Sequence, residues 1–115
     1  MARYDFCINQ GADILLPILL KDSSDSVIKL NGFKVRMQIR QYKHSETAID
    51  TLTTENGRIV LDPEEGKFTL KFPNEVTAHY PAVKAVYDVE TVSADGKVTR
   101  ILEGTVLISK EVTRV

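Results

Sequence analysis

Residues 82–109, AVKAVYDVETVSADGKVTRILEGTVLIS, constrain the fold more than any other part of this chain. They read as two long strands folded on each other at Ala94-Asp95-Gly96, and the rest of the chain reads as shorter strands that need this hairpin to pack against. Two registers compete. A two-residue loop at Asp95-Gly96 sets Asp88 opposite Glu103, and like charges in that position destabilise a strand pair. A three-residue loop shifts the pairing by one, so that Val92 faces Val98, Thr91 faces Thr99, Glu90 faces Arg100 and Val89 faces Ile101. Each such pair contributes roughly 0.2–1 kcal/mol. The loop chemistry agrees, because a type I turn followed by a left-handed glycine is the usual three-residue hairpin, and Gly96 reaches φ > 0 without a Cβ clash. The longer loop is therefore expected. Gly104 is expected to be a bulge or bend through which the second strand continues into a second sheet.

The preceding segments alternate in the same way. Residues 4–10 place Tyr4, Phe6 and Ile8 on one face and Asp5, Cys7 and Asn9 on the other, which is a half-buried strand. Gly11 breaks or bulges it, and residues 13–21 are expected to form a second strand in the same direction after a kink. Pro17 cannot donate to a ladder, which predicts an edge strand or a bulge there. A polar loop at 22–26 (DSSDS) leads to a short strand at 27–30 and a turn at Asn31-Gly32. Residues 33–41 carry the cleanest alternation, with Phe33, Val35, Met37 and Ile39 opposite Lys34, Arg36, Gln38 and Arg40.

Residues 42–47 read as a loop, 48–54 as a strand, 55–57 as a turn, 58–61 as a short strand and 62–66 (DPEEG) as a turn. Residues 67–72 turn Phe68, Leu70 and Phe72 inward. Pro73 opens a segment of different period. There Asn74 can cap, Glu75 suits a first turn, and Val76 and Tyr80 lie four apart on one helical face. One short helix of about two turns is predicted at 74–80, ending before Pro81 and crossing between sheets. Residues 110–115 form a tail. About nine or ten strands at this spacing, with Gly, Asn and Asp turns, indicate an all-β sandwich or barrel.

At 115 residues the chain is expected to be a single domain, 1–115. A domain of this size buries roughly two-thirds of its unfolded surface, so a core is feasible without disulfides or metals. A net charge of −1 supplies no drive toward nucleic acid or an acidic membrane. Cys7 is alone and cannot form an internal disulfide, which suits a reducing compartment. The longest apolar run, residues 14–20, has an internal proline and falls far short of the about 20 residues that span a bilayer. It is also too short, and too far from a charged start, to be a signal peptide. The chain is expected to be cytosolic when made, with no membrane insertion.

No chemistry-bearing constellation stands out. Cys7 with His44 or His79 matches no nucleophile–base motif, and Cys7 lies in a strand rather than at a helix N-terminus that would lower its pKa. The two histidines lack metal-ligand spacing. Asp22, Asp25 and Ser26 resemble part of a calcium loop, but the fixed glycine and distal glutamate are absent, and these residue types favour turns by bonding their own backbone. Asp62, Glu64 and Glu65 crowd one turn, where carboxylates splay into water rather than flank a cleft. Asp88 and Glu90 share a strand face, with Glu90 assigned to Arg100. Lys34, Arg36, Arg40 and Lys43 form a basic stripe without interleaved aromatics for base stacking, so it reads as a solvent face or a protein interface. No Gly-rich phosphate loop, nucleophile elbow or zinc motif is present in the sequence.

Three segments together carry a resemblance: residues 4–18 (YDFCINQGADILLPI), 30–40 (LNGFKVRMQIR), and the hairpin with 86–90 (VYDVE) and 96–106 (GKVTRILEGTV). In order and spacing the chain resembles small tail proteins of bacteriophages and prophages. The similarity is to the immunoglobulin-like N-terminal domains of baseplate upper proteins and to tail-tip collar proteins of long-tailed phages. The resemblance implies an immunoglobulin-like antiparallel β-sandwich in the virion tail. It also implies no enzymatic activity, cofactor or metal, and no catalytic residue to carry over. Such domains form rings or platforms that hold fibres or receptor-binding proteins, so the implied partners are other tail proteins and further copies of the chain. The chain has no room for a receptor-binding head, which favours a stand-alone collar or adaptor. In a ring each subunit could lend a sheet edge or a tail to its neighbour, with residues 1–3 and 111–115 as connectors. The alternative is a carbohydrate-recognition sandwich. It would want exposed aromatics on a flat face, and a chain with no Trp and inward Tyr and Phe registers disfavours it. A small enzyme is disfavoured further, because no nucleophile, base and orienter assemble.

Overall fold

The hairpin is the longest paired unit of the computed structural model, which describes residues 2–113. Nine strands are found among these residues: β1 (Ala2–Arg3), β2 (Phe6–Asn9), β3 (Ile14–Leu19), β4 (Lys34–Arg40), β5 (Asp50–Thr53), β6 (Ile59–Asp62), β7 (Lys67–Phe72), β8 (Lys84–Val92) and β9 (Val98–Ser109). One sheet runs β1-β9-β8-β4-β5, with β2 also paired to β9, and the other runs β3-β7-β6. Together they make an all-β sandwich. The order β9-β8-β4-β5 against β3-β7-β6 is that of an immunoglobulin sandwich. One core lies between the layers, with Phe68, Leu70 and Phe72 of β7 meeting Val35, Met37, Ile39, Val89, Leu102 and Val106. The sandwich is not purely antiparallel, because β1 and β2 run parallel to β9.

The three-residue loop is present. Gly96 has φ 91° and donates to Ser93 O, and Ser93 N–H bonds Lys97 O, so Ala94-Asp95-Gly96 form the loop. Val92↔Val98, Thr91↔Thr99 and Glu90↔Arg100 pair as expected, but Val89 faces Leu102 rather than Ile101. Ile101 is the extra residue of a bulge. Without it the ladder would turn Glu103 and Thr105 into the core and leave Leu102, Val106 and Ile108 in water, since a one-residue slip exchanges the faces. The bulge restores the apolar face, and all three of those hydrophobic residues are buried. One consequence is that Asp88 faces Glu103 after all. Arg100 lies between them, with its guanidinium 3.5 Å from Asp88 and 4.0 Å from Glu103.

Gly104 is therefore not the bulge, and β9 stays in one sheet throughout. Its role is close approach: a Cβ on Gly104 would lie 2.0 Å from Tyr4 O. The N-terminal chain presses on β9 here, and Tyr87 Oη donates to the same Tyr4 O at 2.5 Å.

Several smaller expectations change. The second strand expected at 13–21 is present, trimmed to β3, but it lies in the other layer: the chain leaves the six-stranded sheet at Gln10-Gly11 and enters the three-stranded one. Pro17 sits on the edge strand β3, as its missing N–H requires. Residues 27–30 are not a strand. Only Lys21 and Val27 bridge, and Leu30 sends its N–H to Pro63 O. The strand expected at 48–54 is trimmed to β5. The turn at 62–66 contains a 3-10 helix, Pro63–Glu65.

The helix is shorter than two turns. α1 covers Asn74–Thr77, and the following N–H groups of His79 and Tyr80 bond carbonyls three residues back, which tightens the winding and ends it. Asn74 is the first helical residue, not the cap. Asp13 caps from outside by accepting the Asn74 N–H at 2.7 Å. Thr77 is buried and donates to Ala12 O at 2.9 Å, which ties the crossover to the start of β3.

Candidate functional site

The residues singled out for chemistry do not converge. Cys7 is exposed on β2, His44 stacks on Tyr42, and His79 Nδ1 contacts Glu75 O. Among the described residues no group of three or more His, Cys, Asp or Glu side chains could hold a metal. Asp22 Oδ1 accepts the N–H groups of Ser24 and Ser26, so the DSSDS loop consumes its own acceptors. Asp62 and Glu65 pair with Lys67, and Glu64 pairs with Lys29 and Asn31. Asn31 and Lys29 hold the Glu64 carboxyl below its ordinary range. Glu90 faces Arg100 on the ladder, but its carboxylate binds Arg36 Nε at 2.8 Å. Of the basic stripe, Lys34 pairs with Glu55 and Arg36 with Glu90, whereas Arg40 and Lys43 form no ion pair among the described residues.

What the fold does build is a tight internal knot and two unlike outer faces. The knot joins three elements. Arg58 Nη2 reaches Asp50 Oδ2 at 2.8 Å, with both side chains only 17% and 16% exposed. Tyr80 Oη donates a short hydrogen bond to the same oxygen. Arg58 Nε also donates to Lys71 O, and its guanidinium lies 5.9 Å from the centre of the Phe72 ring. Burial works against the Arg58 charge, but Asp50 and Tyr80 outweigh it and raise the pKa. No spacing in the sequence marks this cluster. Its members come from β5, the turn residue just before β6 and the crossover, and only folding joins them.

Burial, and then the nearby Asp50 carboxylate, push the Tyr80 phenol well above its ordinary 10. Burial and then Asp5 do the same for Tyr87. Each phenol is thus held neutral in the native state while its unfolded counterpart ionises near pH 10. The stability these groups contribute is complete below that pH and declines as pH rises above it. The urea midpoint of the wild-type protein should therefore fall above pH 10, and Tyr87→Phe should flatten that fall. Identical alkaline profiles for the two proteins would refute this.

The outer face of the three-stranded sheet is apolar along its β3 edge. Leu15, Pro17 and Leu19 point outward from β3, and Val60 points outward from β6. Leu15 is 67% exposed, Leu19 51% and Val60 44%. Between them β7 turns Lys67, Thr69 and Lys71 outward, opposite Leu19, Pro17 and Leu15 in the ladder, so the exposed apolar side chains form a row along the β3 edge, separated from Val60 by Thr69. An exposed apolar row along an edge strand, rimmed by the β7 lysines, is a candidate contact site.

The outer face of the six-stranded sheet is charged. It forms a groove of about 650 Å³ lined by charges of both signs, among them Arg36, Arg100, Asp88, Glu90 and Glu103.

Sheet edges on both layers are blunted. On β3, Pro17 removes a donor. On β5, the Asn56 side chain accepts the Thr53 N–H at 3.0 Å and donates to Thr51 O at 3.1 Å, as a neighbouring strand would. Beyond the turn that Asn56-Gly57 predicts, no sequence signal marks this plug.

No family model and no curated protein matches this chain. Among the described residues no helix is long and apolar enough to cross a membrane.

Proposed function

We propose that this chain is a non-enzymatic structural component of a phage tail tip or baseplate, a collar or adaptor that holds fibres or receptor-binding proteins in the virion tail. The exposed apolar row along β3 supports the reading, since Leu15 and Leu19 lie largely in water on a domain that already has a filled core. Covering that face by a neighbouring subunit removes apolar surface from water at about 25 cal/mol per Å². Blunted edges at β3 and β5 favour contact through faces over strand addition. Of the proposed connectors, Met1, Arg114 and Val115 lie outside the described residues. Head-to-tail contacts that close by rotation generate a ring.

Size-exclusion chromatography with light scattering tests this, on the chain alone and mixed with neighbouring tail proteins. The wild-type protein is expected to form a defined oligomer or to join purified tails, and Leu15→Glu with Leu19→Glu is expected to abolish this while the β-sheet circular dichroism persists. A strict monomer that never joins tails would overturn the proposal.

A further inference from the structure

The groove on the outer face of the six-stranded sheet has a polarity that its own ion pairs leave unfinished. Along its middle the charges are matched: Arg36 pairs with Glu90, and Arg100 bridges Asp88 and Glu103. Toward one end, Arg40 and Lys43 line the groove with no carboxylate partner among the described residues. Arg40 is half-buried and immobilised, donating to Ser45 O at 2.8 Å and to Gln38 Oε1 at 2.7 Å. Both acceptors are neutral. A guanidinium held in place and facing a groove is already ordered, so less freedom is lost when a carboxylate binds it.

We propose that this groove docks an extended acidic segment of a partner protein, with a carboxylate seated at Arg40 and Lys43. The rest of the groove selects the class of partner. Asp88, Glu90 and Glu103 stand along it, so a nucleic acid or other polyanion laid lengthwise would meet three carboxylates. A peptide with its negative charge at one end and a polar, hydroxyl-bearing body avoids that repulsion. Thr51, Thr53 and Thr105 supply hydroxyls along the walls for such a body. The groove lies on the opposite layer from the apolar face, so the two surfaces can be occupied together. This inference does not rest on the virion reading.

The test is a ¹⁵N-resolved NMR titration of the whole chain with an N-acetylated, C-amidated Thr-Thr-Ser-Thr-Glu-Glu peptide. The same peptide with both glutamates replaced by glutamine, and a short oligothymidylate, are the other arms. The acidic peptide is expected to shift the amides of Arg40, Lys43, Val86 and Thr105, and the glutamine peptide to leave them in place. Lys43→Gln and Arg40→Gln should each weaken binding about tenfold, the loss expected for one charge-assisted contact. Lys43 is exposed, so its variant keeps the test decisive even where Arg40→Gln disturbs the 41–45 loop. Three outcomes would each overturn the proposal: no shifts in the groove, equal affinity of Lys43→Gln and wild type, or tighter binding of the oligothymidylate with the same footprint. Loss of tail assembly with peptide binding intact would count against the virion reading alone.

Discussion

Arg58→Ala is expected to destabilise the protein by about 3 kcal/mol or more, the usual consequence of removing one member of a buried ion pair. The Asp50 carboxylate would keep its Tyr80 hydrogen bond and lose its counter-charge, at a position where both side chains are largely shielded from water. Losses beyond charge follow as well: the bond to Lys71 O and the contact over the Phe72 ring both belong to Arg58. Tyr80→Phe removes one donor to the Asp50 carboxylate and keeps the ion pair, so it should cost about 2 kcal/mol. Because the three side chains act on one another, the double variant Asp50→Ala with Arg58→Ala should lose less than the sum of the singles. Urea denaturation of the wild type, the three single variants (Asp50→Ala included) and the double variant checks this. Strict additivity, or a loss in Arg58→Ala no larger than in Tyr80→Phe, would show that the knot is not coupled.

Gly104→Ala should detach the N-terminal chain without unfolding the sandwich. The added methyl would lie 2.0 Å from Tyr4 O and 2.7 Å from Tyr4 C, both backbone atoms that cannot swing aside. The strand must move away from β9. That breaks the Tyr87 Oη bond to Tyr4 O and the Asp5 bond to the Thr105 N–H. An overpacked site of this kind costs about 1–3 kcal/mol. Hydrogen exchange gives the sharper signature: amides of β1 and β2 should lose protection while those of β4, β7 and β8 keep it. Protection lost evenly across both sheets would indicate global destabilisation instead, and unchanged protection at Phe6 to Asn9 would refute the close-approach role.

Much of the sandwich is legible in side-chain alternation. Lys34–Arg40 and Lys67–Phe72 alternate between core and water as their residues dictate, and Pro17 falls on an edge strand. The segment at 27–30 misleads because apolar content alone does not make a strand. Leu30 is fully buried, yet its backbone bonds the Pro63 carbonyl of a turn rather than a ladder. The helix misleads in a related way. Its period continues to Tyr80, but Tyr80 is drawn to Asp50 and Arg58, and the winding tightens after Thr77.

The hairpin separates what one chain segment can determine from what needs the whole molecule. Local chemistry at Ala94-Asp95-Gly96 sets the loop, because only a left-handed glycine closes it there, and it sets the first three cross-strand pairs with it. Local pairing also favours keeping Asp88 away from Glu103. The opposite layer decides otherwise, since β9 must turn Leu102, Val106 and Ile108 toward Phe68 and Phe72, and Ile101 is bulged to let it. Burying three hydrophobic side chains outweighs one pair of facing carboxylates that Arg100 can bridge in water. Alternation along the chain thus determined the strands and their inward faces. Tertiary packing alone chose the register, the knot of Asp50, Arg58 and Tyr80, and the charges left unmatched at Arg40 and Lys43, because each depends on residues far apart in sequence competing for the same space.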